Sequence, residues 1–167
     1  MPAKCWKRSK RMADLGQVNE GTGTSTVATV YSAVSDVTET AASIGNSGSF
    51  NADGALLDVA VDQNNLGNQT AALLTVQNMV AEATSTAASI GNSLSVEMPG
   101  GSKITATQNN AGTMIADLTG TIASTVDYTA TAAAIGNSYA LTSLDSGIAG
   151  NVSSSLNQWN GAGQIAK

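Results

Sequence analysis

The sequence predicts an all-β protein, a β-solenoid of parallel β-helix type built from repeats of about 45 residues, each read as two coils. Three observations predict it. The phrase "TAASIGNS" stands at 40–47 and again at 86–93, and returns as "TAAAIGNS" at 131–138. A second motif, Gln-x-Asn-x-Gly, precedes each copy as "QVNEG" at 17–21, "QNNLG" at 63–67 and "QNNAG" at 108–112. Apolar and polar residues alternate in stretches such as "ALLDVAVD" at 55–62, which sets Leu57, Val59 and Val61 on one side and Asp58, Ala60 and Asp62 on the other. A period of two is the signature of a strand.

The step from the Gln of the first motif to the Ile of the second is identical in all three copies, Gln17 to Ile44, Gln63 to Ile90 and Gln108 to Ile135, while the return to the next Gln varies. Fixed segments joined by tolerant ones are what stacked units produce. The first sixteen residues, with five of the seven basic side chains, read as a disordered basic tail. The repeat domain is expected over 17–167, divided into 17–62, 63–107, 108–157 and a partial fourth unit at 158–167, where "QWNGAG" reads as a copy with one extra residue. Within each unit the corners are assigned to Gln17, Asn19 and Gly21, to Gln63, Asn65 and Gly67, and to Gln108, Asn110 and Gly112. The IGNS corners are Ile44, Gly45 and Asn46, Ile90, Gly91 and Asn92, and Ile135, Gly136 and Asn137. Gly and Asn tolerate positive φ, which is why they are placed at bends. Further turns are expected at "NADG" (51–54), "PGGS" (99–102) and "LDSG" (144–147).

The two motifs are read as equivalent corners of half-size coils, because Ile44, Leu66, Ile90, Ala111 and Ile135 recur at nearly even intervals of half a repeat. Each coil advances a stack by about 4.8 Å, and stacked Asn side chains form ladders. The face Thr38, Thr40, Ala42, Ile44 and its copies is expected to point inward, since it carries the isoleucines. A helical alternative exists for "AALLTVQNMVAEATSTAA" at 71–88. The corresponding "TMIADLTGTIASTVDYTA" at 113–130, rich in Thr, Ile and Val, favours strand for both.

Composition argues for a structural protein. Only 11% of residues are charged and 4% aromatic, yet 42% are hydrophobic, too many for simple disorder. There is no histidine, which removes the commonest general base and metal ligand and every triad built on it. Asp58 and Asp62 read as a solvated strand face, and Asp53 in "NADG" as a turn residue. No catalytic residue, cofactor or metal site is therefore expected. Net charge is −5, and from Met12 onward two basic side chains face twelve acidic ones, a poor surface for nucleic acid. No stretch has the length of a membrane span. Cys5 is the lone cysteine, so no intrachain disulfide forms.

With QxNxG or QNN corners and "TATAAAIGNS"-type strands over about 17–166, the chain resembles the repeats of surface proteins of stalked alphaproteobacteria that anchor the adhesive holdfast, and more distantly curlin. The resemblance implies an exported surface protein that adheres or assembles into fibres, with no active site. In curlin a Gly-x-x-Asn-x-Ala element follows the first Gln; here Gly67 is followed by Thr70 and Ala72, of which the Ala matches and the Thr does not, and Gly112 by Ile115 and Asp117, which match neither. The expected partners are further copies of the chain, other cell-surface proteins or a polysaccharide, and the expected location is extracellular, although no signal peptide is visible. Two other readings compete: a phage tail-fibre or spike shaft, and an ice-binding surface made of the Thr-x-Thr pairs.

Overall fold

The computed structural model describes residues 11–52, 55–144 and 151–167, and their regular structure is strand throughout. The chain runs through β1 (Arg11–Asn19), β2 (Gly23–Ser32), β3 (Asp36–Asn51), β4 (Leu57–Asn65), β5 (Gln69–Asn78) and β6 (Glu82–Pro99). It continues through β7 (Lys103–Asn110), β8 (Met114–Ala123), β9 (Asp127–Leu144), β10 (Ser153–Asn160) and β11 (Gln164–Ala166). The helical alternative for 71–88 is therefore excluded: that stretch is most of β5, a turn and the start of β6.

Strands pair with their counterparts in the next repeat, always in parallel, in three sheets ordered β1-β4-β7-β10, β2-β5-β8-β11 and β3-β6-β9. Gln17, Gln63, Gln108 and Gln158 are direct neighbours across the first sheet. Ile44, Ile90 and Ile135 are neighbours across the third. This corrects the reading of two coils per repeat. Half-size coils would set an IGNS strand beside a QxNxG strand; instead each motif pairs with its own copy, because three strands and their turns consume the whole repeat. The nearly even spacing of Ile44, Leu66 and Ile90 arose from different positions within one layer, since Leu66 follows β4 whereas Ile90 lies inside β6.

Two boundaries also move. Residues 11–16, assigned from sequence to the tail, form the first part of β1, where Ala13 and Leu15 alternate with exposed neighbours and Leu15 pairs with Val61. Residues 1–10, with Cys5, lie outside the described residues, as do Asp53 and Gly54 of the first expected turn and 145–147 of the third. The middle turn is present, with Gly101 at φ 82°. At the fourth unit Gln158 pairs with Gln108 and Gln164 with Met114, so "QWNGAG" carries no extra residue, and Ala162 falls where earlier copies have glycine.

Alternation decides what is buried. Val59 and Val61 of β4 face in, as their period predicts, and join Leu94, Val96, Met98, Ile104 and Ala106 in the largest apolar cluster. Burying each of the larger side chains contributes about 1.5–3 kcal/mol. A second cluster of Ala41, Ala71, Leu73, Ala87 and Ala116 lies between the second sheet and the first half of the third. Alanine there lets the two sheets approach closely. The long strands β3, β6 and β9 therefore serve both clusters, and they change phase midway. In β3 the buried residues are Val37, Glu39, Ala41 and Ser43, then Asn46, so the inward face switches parity across Gly45.

Candidate functional site

The recurring residues converge where the three sheets meet, in a buried spine of side-chain amides. Asn19 Nδ2 donates to Asn65 Oδ1, Asn65 Nδ2 to Asn110 Oδ1, and Asn110 Nδ2 to Asn160 Oδ1, each at 2.7 Å. The glutamines run the opposite way. Gln63 Nε2 donates to Gln17 Oε1 at 2.8 Å, Gln108 to Gln63 at 2.8 Å, and Gln158 to Gln108 at 2.6 Å. A third ladder in the IGNS strands runs from Asn46 Nδ2 to Asn92 Oδ1 at 2.9 Å and from Asn92 Nδ2 to Asn137 Oδ1 at 2.7 Å. Gln63, Asn65, Asn92, Gln108 and Asn110 are fully buried.

Cross-links bind the ladders to one another. Gln63 Nε2 also donates to Ser93 O at 3.0 Å and Gln108 Nε2 to Ser138 O at 2.9 Å, while Asn92 Nδ2 also donates to Asn109 O at 2.8 Å. QxNxG and IGNS lie more than half a repeat apart in sequence, yet they are two walls of one junction. A buried amide without partners costs about 1–3 kcal/mol, so satisfying each of them by its own copy fixes the register of every layer.

Glycine in both motifs is required by proximity. A Cβ on Gly45 would stand 2.3 Å from Asn65 Oδ1, and one on Gly91 2.4 Å from Asn110 Oδ1; Gly136 faces Asn160 in the same way. On Gly67 it would meet Gly21 O at 2.0 Å, and on Gly112 Gly67 O at 2.0 Å. Positive φ is not the reason: among the described glycines it occurs at Gly101 alone. Where left-handed backbone does appear, at the turns after β2, β5 and β8, it is held by Ala33, Met79 and Ser124, with φ between 54° and 58°. The sequence reading missed these corners because they lack Gly, Pro and Asn. Their only regular mark is the acid that opens the next strand, Asp36, Glu82 or Asp127.

Facing is reversed on the third sheet. Thr38, Thr40, Ala42 and Ile44, expected inside, point outward, and their counterparts in β6 and β9 are exposed or half-buried. The opposite parity carries the amide-bonded interior, including Ser43, whose Oγ donates to Gln69 Oε1 at 2.8 Å, and Glu39. Glu39 is an interior carboxylate that sequence did not single out. It accepts from Thr29 Oγ1, from Thr75 Oγ1 at 2.8 Å and from Gln77 Nε2 at 3.0 Å. Asp62 lies on the outer face of β4, as expected. Among the described residues no group of three or more acidic, His or Cys side chains is placed to hold a metal ion, and no helix is long and apolar enough to cross a membrane.

In-register pairing of the repeated letters along a buried amide spine defines an all-β protein of parallel sheets. The family model described as HfaD, holdfast attachment protein D, matches residues 9–163. The chain belongs to that holdfast attachment family. No curated protein and no solved structure matches it.

Proposed function

We propose that the chain is a non-enzymatic structural component of holdfast attachment at the cell surface, its three sheets winding as one β-solenoid with one coil per repeat. The observation that carries this reading is the pairing of every recurring Gln, Asn and Ile with its own copy. Family membership supplies the surface and adhesive context. The recurring residues of the two motifs, of which the IGNS letters lie inside β3, β6 and β9 and not at the turns expected of them, are scaffold: they hold layers in register and leave the outer faces to make contacts. Association with further copies or with other surface proteins fits sheets whose outermost strands pair on one side only, and curlin-like fibre growth is the extreme form of it.

The reading is tested in cells by deleting the gene and restoring it with an epitope tag. Complemented cells are expected to label at the surface without permeabilisation and to retain their holdfasts, which the deletion strain sheds. Labelling only after permeabilisation, or holdfasts retained without the protein, would overturn it. One observation favours a second reading, an ice-binding surface: the Thr38–Thr40, Thr84–Thr86 and Thr129–Thr131 pairs form an outward array. Its repeat is about 4.8 Å across strands and about 6.6 Å along them. Thermal hysteresis measured on the purified chain separates the two, since a scaffold gives none.

A further inference from the structure

On the outer face of the first sheet, Thr107, Gln108, Asn109, Asn157 and Trp159 line an open cleft of about 400 Å³. The volume lies in the range of small-ligand sites. Trp159 is 55% exposed although it is one of only two tryptophans in the chain. Its ring is seated rather than loose: it lies over Gly161, where a Cβ would come within 2.0 Å of the indole. Its backbone is fixed by Asn137 Nδ2, which donates to Trp159 O at 2.8 Å. In the same register position the earlier layers carry Val18, Asn64 and Asn109, so the aromatic platform occurs once along this column.

Beside the ring, Asn109 has its Nδ2 committed to Asn64 Oδ1 at 3.1 Å, while its Oδ1 is buried without a partner. Asn109 therefore serves as floor to the cleft, and the polar atoms open to a ligand are those of Thr107 and Asn157. The lining therefore offers one flat aromatic face, neutral amides and a hydroxyl, and no charge. That set matches a molecule with an apolar face and a rim of hydroxyl donors and acceptors. A pyranose with equatorial hydroxyls presents its axial C–H bonds to an indole and its hydroxyls to amides, as amphipathic aromatic recognition requires. From Met12 onward twelve acids face two bases, which disfavours nucleic acids and acidic polymers.

We propose that this cleft binds a neutral carbohydrate chain, with Trp159 as the stacking platform and Asn157 and Thr107 as the polar rim. The proposal deepens the adhesion reading and rests on it for its biological use, but the binding is measurable without it. Trp159 fluorescence in a Trp6→Phe background is titrated with cellohexaose, chitohexaose and, as a control with hydroxyls but no ring face, sorbitol. At least one of the first two is expected to give a saturable change in emission that sorbitol does not. Trp159→Ala, followed by calorimetry, is expected to weaken binding by about tenfold or more. Asn157→Ala, at an exposed strand position that does not threaten folding, is expected to weaken it less at an unchanged thermal midpoint. No response to any probe, or affinity retained in both variants, would overturn the cleft. Cells carrying Trp159→Ala that still display the protein but bind no sugar leave the scaffold reading standing, whereas loss of surface display in the unmodified strain removes that reading and not the cleft.

Discussion

Replacing Asn65 by Ala removes three hydrogen bonds from the middle of the spine, and their fates differ. Asn19 Nδ2, half-exposed at the first layer, loses its acceptor but can turn to water. Asn110 Oδ1 is fully buried and loses its donor outright. Gly67 O loses the 2.9 Å bond and keeps only a 3.5 Å contact from Gln69 Nε2. Two orphaned buried acceptors at about 1–3 kcal/mol each give a loss of about 2–6 kcal/mol. That is a large fraction of the roughly 5–15 kcal/mol that holds a typical domain together. Guanidinium unfolding followed by far-ultraviolet circular dichroism reads it as a fall in midpoint at constant slope. Asn64→Ala, one residue away and pointing outward, is the control, because it gives up only a part-buried bond from Asn109 at 3.1 Å and should cost under about 1 kcal/mol. Equal effects at the two positions, or a loss under about 1 kcal/mol at Asn65, would rule out an amide ladder that sets stability.

Other substitutions test the remaining contacts. Gly67→Ala drives a Cβ into Gly21 O at 2.0 Å, backbone against backbone, and is expected to prevent folding of the first two layers, whereas Gly16→Ala meets nothing within 4 Å and should be silent in the same melting assay. Met79→Gly relieves a left-handed backbone whose side chain is 56% exposed. Relief is expected to raise stability by up to about 1 kcal/mol, read as a thermal midpoint a few degrees higher. Glu39→Leu leaves the buried Thr75 hydroxyl without its acceptor and Gln77 Nε2 with only its 3.3 Å bond to Thr75 Oγ1, and is expected to cost about 1–3 kcal/mol by denaturant unfolding.

The strands and the positions where Gln, Asn and Gly meet their copies were legible because each leaves a periodic mark on the chain. Asn65 and Gly67 recur at fixed offsets in the first three copies, where each lies against its own counterpart, and the fourth keeps the asparagine as Asn160 but has Ala162 in place of the glycine. The orientation of the third sheet was not legible. Thr38, Thr40, Ala42 and Ile44 alternate as cleanly as Val37, Glu39, Ala41 and Ser43, and isoleucine drew the inward assignment to the wrong set. What decides the matter is tertiary: Asn46 must reach Asn92 inside, and the parity switch at Gly45 carries the two halves of β3 to different cores. The number of coils was hidden for a related reason. Two motifs half a repeat apart look like equivalent corners until pairing shows that they meet in one layer. Ala33, Met79 and Ser124 escaped notice because their left-handed geometry is imposed by the stack, with no permissive residue to announce it. Trp159 lies in a single copy and leaves no periodicity at all.

Whether each repeat contributes one layer is decided by cysteine cross-linking. In a Cys5→Ser background, Thr40→Cys is combined with Thr86→Cys in one variant and with Thr131→Cys in another. Thr40 and Thr86 are direct partners across β3 and β6, and Thr131 lies one strand further. Adjacent parallel strands bring paired Cα atoms to about 4.8 Å, inside the range a disulfide spans, while two layers exceed the limit of about 7 Å. One layer per repeat gives rapid oxidation of the 40–86 pair and none of the 40–131 pair in the folded monomer. Failure of the 40–86 pair to close, with the protein folded, would place another strand between equivalent residues and break the stack described above.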